Sequence, residues 1–157
     1  MRFLCAGVVV FAAMLCGGCG PGRTMPKGGS PGAAANDPQA MEQLKGTWHV
    51  IAIEAGGNPV PADRVQKIEL QYVFDGDKLT VHRPDRPDKT STITLDATSS
   101  PKKMTLHQSR PVYALYAVDG NKLRLCLMVD ENPNAGFPTE LASRASPTTD
   151  LLTLERR

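Results

Sequence analysis

The 157-residue chain predicts an all-β fold: an eight-stranded antiparallel up-and-down barrel preceded by one short helix. Three observations carry this. Short stretches of alternating apolar and polar residues recur at regular spacing from residue 47 onward, as strands with one buried face require. Asp75-Gly76-Asp77 and Asp119-Gly120-Asn121 stand between strong strand patterns and carry the Asp-Gly chemistry of tight hairpins. No crossover helix lies between strand patterns, which excludes a parallel α/β sheet.

The elements begin with an export signal. Arg2 supplies one charge, and residues 3–15 form an uncharged run rich in Val, Ala and Leu. That run is too short for a spanning helix, which needs about 20 residues, and suits a signal core. Leu15-Cys16-Gly17-Gly18-Cys19 resembles a bacterial lipobox, which makes Cys19 the expected lipid attachment site and new N-terminus. Cys16 departs from the Ala, Ser, Thr or aliphatic residue usual at its place. That leaves open ordinary cleavage near Gly18 and a soluble periplasmic or secreted product. Residues 1–19 are therefore read as a signal peptide, and the expected location is the cell envelope, lipid-anchored to a membrane. Residues 20–37 are rich in Gly and Pro and too poor in apolar side chains to offset ordering entropy, so a disordered linker is expected.

Residues 38–157 form the folded domain. Asp37 before Pro38 reads as a helix N-cap followed by a proline at the first helical position, with a short helix ending at Gly46. Strand candidates follow at 47–54, 66–74, 78–83, 90–95, 103–107, 112–118, 122–128 and 150–156. In the second, Ile68, Leu70, Tyr72 and Phe74 share one face; Leu79 and Val81, Met104 and Leu106, and Leu123, Leu125 and Leu127 do the same in later strands. The segment 56–65 should contain one helical turn, and the long link 130–147 is expected to form a lid or rim over the barrel mouth.

Gly46-Thr47-Trp48 at the first strand resembles the Gly-x-Trp signature of lipocalins over three positions. The comparison implies that Trp48 plugs the barrel base and that a terminal arginine, Arg156 or Arg157, packs across it. Further stretches extend the likeness: Leu44-Lys45-Gly46-Thr47-Trp48-His49-Val50, Gly57-Asn58-Pro59-Val60-Pro61, Phe74-Asp75-Gly76-Asp77-Lys78-Leu79, Tyr116-Ala117-Val118-Asp119-Gly120-Asn121-Lys122-Leu123-Arg124-Leu125-Cys126 and Phe137-Pro138-Thr139-Glu140-Leu141-Ala142-Ser143. Over residues 44–157 the chain resembles a small uncharacterised domain found many times over in planctomycete proteomes, often on exported proteins. The resemblance implies a lipocalin-like fold and carries no activity or ligand.

Chemistry-bearing residues are sparse. Without Arg2 the charges nearly balance, 17 Lys and Arg against 16 Asp and Glu. The cations Arg64, Lys67, Arg83, Arg86, Lys89, Lys102 and Lys103 are dispersed among acids and turns, so nucleic acid is not an expected partner. His49, His82 and His107 alternate with apolar residues and belong on the wet face, without metal-ligand spacing. Asp130-Glu131-Asn132-Pro133-Asn134-Ala135-Gly136 only faintly resembles a calcium loop, its glycine falling one place late. Ser99, Ser100, Ser109 and Ser143 lack a glycine elbow or a neighbouring histidine. Cys126 alone remains in the folded region and reads as a small packed residue. Thr139 and Glu140, on the long link, are the candidate barrel-mouth contacts, or else braces of their own loop.

The expected function is a non-catalytic binding module, monomeric and without cofactor or metal, holding a small apolar or amphipathic ligand. The alternative is a barrel filled by its own side chains, serving as a structural or protein-interaction domain.

Overall fold

The computed structural model describes residues 36–129, 136–145 and 147–156. The expected signal peptide, Cys19, the expected linker up to residue 35, residues 130–135 of the acidic loop, and Arg157 lie outside the described residues. The elements are α1 (Pro38–Leu44), β1 (Gly46–Ala55), β2 (Asn58–Pro59), α2 (Ala62–Ile68), β3 (Gln71–Asp75), β4 (Lys78–Arg83), β5 (Arg86–Asp96), β6 (Lys102–His107), β7 (Val112–Asp119), β8 (Lys122–Met128), a 3-10 turn (Ser143–Ala145) and β9 (Thr149–Arg156).

The strands form one antiparallel sheet in the order β2-β1-β3-β4-β5-β6-β7-β8-β9, and β1 pairs again with β9. The ring is thereby closed as an eight-stranded up-and-down, lipocalin-like barrel, with β2 added at its rim. Closure removes every long free edge, which a flat sheet would leave open to pairing with other chains. Most pairings join sequential strands; β1–β3 and β8–β9 span longer links, and the β1–β9 seam joins the two ends of the domain. Gly76 and Gly120 carry positive φ in the β3–β4 and β7–β8 turns, as tight hairpins demand.

α1 starts where Asp37 accepts from the Gln39 amide at 2.9 Å, with Pro38 filling a position that needs no donor. Ala40 and Leu44, four residues apart, face the core.

Two elements differ from the sequence pattern. The stretch 66–74 is not one strand: α2 runs to Ile68, Glu69 takes a left-handed conformation (φ 46°), and β3 begins at Gln71. The backbone bond from Val65 to Pro61 and the burial of Val65 stabilise the helix, so tertiary packing overrides the alternation of Ile68 with Leu70. β5 starts at Arg86, four residues before the expected 90, because β4 and β5 continue as a hairpin beyond the barrel wall with Arg83 opposite Arg86.

The interior is filled. Trp48, Phe74, Leu79, Ile93, Leu95 and Met104 are almost wholly buried, together with Tyr116 and leucines of β8 and β9. At about eight strands a barrel is narrow enough for side chains to occupy its lumen, and here they do. A second apolar cluster lies on the outside of β7–β9, where Leu115, Cys126 and Leu151 are covered by Phe137 and Leu141. The outer face is therefore dry at these strands rather than wet. The described part of the β8–β9 link packs on this wall, where the sequence suggested a lid over the mouth.

Candidate functional site

One end of the barrel is sealed by a cap built from Trp48 and Arg156. They stand opposite each other across the β1–β9 seam. The Arg156 guanidinium carbon lies 4.4 Å from the centroid of the indole. The indole Nε1 donates to the Leu44 carbonyl at 2.6 Å, and Arg156 Nη2 donates to the Gln43 carbonyl at 2.5 Å. These carbonyls end α1 and have no acceptor role inside the helix, so the pair satisfies groups that a buried helix end would leave orphaned. The stacked cation gains ring attraction while its donors reach the helix. Gly46, at φ +117°, turns the chain tightly here; a Cβ on it would sit 3.9 Å from Arg156 Nε. This end is structural: it fixes helix, first strand and last strand to one another.

The rim formed by the β4–β5 hairpin is different. Val81 and Lys89 are cross-strand partners, as are Arg83 and Arg86. Val81 packs against the core, and directly opposed residues of an antiparallel pair share a face, so Lys89 leaves its strand on the same face while its side chain stays exposed. Val81, Arg83, Arg86, Pro87 and Lys89 line a cleft of about 320 Å³. Two arginines placed directly opposite each other repel, and Asp85 offsets this. Its carboxylate bridges Arg83 at 3.1 and 3.3 Å and Arg86 at 3.6 Å. Three cations against the Asp85 carboxylate leave the cleft net positive, and the balance stays positive even with Asp88, which pairs with His82 at 2.5 Å.

Beside this rim, Tyr72 is buried and its hydroxyl pushed up to about 12, chiefly by desolvation, then by the charge of Asp150, with Arg83 acting in the opposite sense. Asp150 opposes Leu127 and Ala55 and shares the inward face of β9 with Leu152 and Leu154. Desolvation holds its carboxyl above the ordinary value. A second groove, of about 420 Å³, opens where β1 and β3 part, lined by His49, Ile51, Val65, Gln66, Glu69 and Leu70. Ile51 is the extra residue of a bulge in β1 and is 39% exposed.

The structure separates the remaining candidates. Thr139 and Glu140 are exposed, on the loop covering the outer wall, and do not join the core-facing set. Among the described residues, several bonds brace this loop. Arg124 donates to the Leu141 carbonyl at 3.1 Å, Ser143 Oγ to Glu54 at 2.9 Å, and Thr149 Oγ1 to the Ser143 carbonyl at 2.9 Å. Burial pushes the Cys126 thiol above its usual value, and its sulfur donates to the Ala142 carbonyl at 3.6 Å. His107 bonds Thr94 at 2.7 Å. Among the described residues no three His, Cys, Asp or Glu side chains come together as a metal site.

Sequence reasoning noted Arg83, Arg86 and Lys89 as dispersed. The signal that gathers them was the register of one hairpin, which brings positions 83 and 86, and 81 and 89, face to face. Fold and site together define a filled, closed β-barrel with one capped end and one cationic rim. No protein-family model and no curated protein matches the chain.

Proposed function

We propose that this is an exported, non-catalytic, lipocalin-like binding module, tethered to a membrane through an acylated Cys19, whose ligand is held at the β4–β5 rim and not in a lumen. The observation that carries the reading is the contrast between a lumen filled by large side chains and a rim cleft of about 320 Å³ with an apolar floor. Small-molecule sites begin at about that size. The reading takes the chain as a member of the planctomycete domain family that its five matching stretches resemble, with a monomeric barrel at the end of a linker.

The test is native mass spectrometry of protein purified from its own envelope. A small added mass that leaves on denaturation is the expected result. Bare acylated polypeptide would instead favour a purely structural or protein-interaction domain, which the packed interior also suits. The tether is tested separately by labelling with a radioactive fatty acid, where Cys19→Ala should abolish incorporation; equal labelling in both proteins would defeat it.

A further inference from the structure

The rim reading can be taken one step further, to the chemical class of the ligand, and this step rests on that reading. We propose that the β4–β5 cleft is a site for a single-chain anionic amphiphile. Arg86 and Lys89 receive the head, and Val81 and Pro87 receive the start of the tail.

The two ends of the cleft differ in chemistry. Val81 belongs to the edge of the core, so the inner end is apolar and water-poor. Arg86 is 68% exposed, and the long side chain of Lys89, across from Val81, is exposed as well, so the cationic ends lie on the wet side of the cleft. A polar head at the wet end and a chain at the dry end match this gradient. The sign of the head follows from the charges. Asp85 already engages Arg83 through two bonds, while its contact with Arg86 is the longer one at 3.6 Å. Arg86 and Lys89 are therefore the cations most open to a new acceptor. An arginine takes a carboxylate or phosphate with paired donors, and a lysine adds a point charge.

The local sequence fits a purpose beyond stability. An arginine pair opposed across two strands is unfavourable in itself, and the hairpin extends past the barrel wall, where the closed ring does not need it. The volume, about 320 Å³, suits one acyl chain end rather than a two-chain lipid.

Dodecanoate is the probe, used below its micelle concentration with the exported chain carrying Cys19→Ala, so that no acyl group of the protein competes. Binding is read by calorimetry and by amide chemical shifts. Saturable one-to-one binding with shifts centred on residues 81–89 is expected. Binding should weaken as salt rises, because exposed charges are screened within about 10 Å at 0.1 M. Dodecyltrimethylammonium and dodecanol should bind far more weakly. Arg86→Glu/Lys89→Glu, two exposed sites, should keep the thermal midpoint and lower dodecanoate affinity on the order of tenfold or more.

Equal binding of the three head groups would overturn the proposal. Shifts mapping to His49 and Leu70 would overturn it too, while leaving a binding module in place. Sedimentation with phosphatidylglycerol vesicles without any dodecanoate shift would assign the cations to a membrane surface and overturn it. A retained neutral ligand in native mass spectrometry would defeat this step and spare the wider reading; no ligand there and no dodecanoate binding would defeat both.

Discussion

Trp48 and Arg156 show how much two side chains can organise. The indole is fully buried and donates to α1, and the guanidinium stacked on it donates to the next carbonyl of the same helix end. Trp48→Ala should cost about 3–5 kcal/mol in urea unfolding, since it removes a large core side chain and leaves a cavity. Arg156→Ala should cost less, about 1–3 kcal/mol, through a lost charged hydrogen bond and ring contact. Arg156→Lys should recover only part of that, because an ammonium cannot stack flat and donate at once. Asp150 gives the opposite kind of prediction. Its folded-state value lies above the ordinary 3.8, so the folded protein holds that proton more tightly than the unfolded chain does. The resulting stabilisation is complete below 3.8 and is lost as pH rises through the raised value. Asp150→Asn should therefore melt above wild type at neutral pH. The gap should close as pH falls toward 3.8, and a gap that persists there would contradict the desolvation account.

At the scale of elements, the β8–β9 loop behaves as an outer wall. Phe137 meets Tyr113 with ring centroids 5.0 Å apart, Lys103 Nζ lies 5.1 Å from the Phe137 ring, and Leu141 packs beside Phe137 over Cys126. The Cys126 thiol should react slowly with iodoacetamide in the native protein, both because it is covered and because its raised value leaves little thiolate. Phe137→Ala combined with Leu141→Ala should speed labelling of the Cys126 peptide several-fold by lifting the loop, a local opening rather than global unfolding. An unchanged rate would mean that the strands alone protect the thiol. Strand boundaries were largely legible from alternation, since a period of two is a local property. The helical turn within 56–65 was legible too, but its continuation through Ile68 was not, because residues 66–70 also alternate as a strand would; the burial of Val65 against the core favours the helix.

For the molecule as a whole, closure is the deciding event. The β1–β9 seam joins residues at the two ends of the domain, and Arg156 bonds a carbonyl 113 positions earlier. The rim cations were visible in the sequence as residues but not as a group, because the turn at 84–85 and the bulge beside it set which side chains face one another. The filled lumen predicts that an apolar reporter such as a naphthalene sulfonate dye will gain little fluorescence from the native barrel's interior. Any signal should compete with dodecanoate at the rim; a bright signal indifferent to dodecanoate would point to a lumen after all.

What the sequence alone determined was local: the Asp37 cap, the Gly76 and Gly120 turns, the inward set of leucines, and hence an antiparallel barrel of eight strands. Each depends on residues a few positions apart, whose conformational preferences are written in their own chemistry. The tertiary structure decided what no local rule encodes: the helix in place of strand at 66–68, the dry outer wall, and the gathering of Arg83, Arg86 and Lys89 at one rim. Those features depend on register between strands and on which surfaces remain to be buried once the ring has closed, and both are properties of the whole chain.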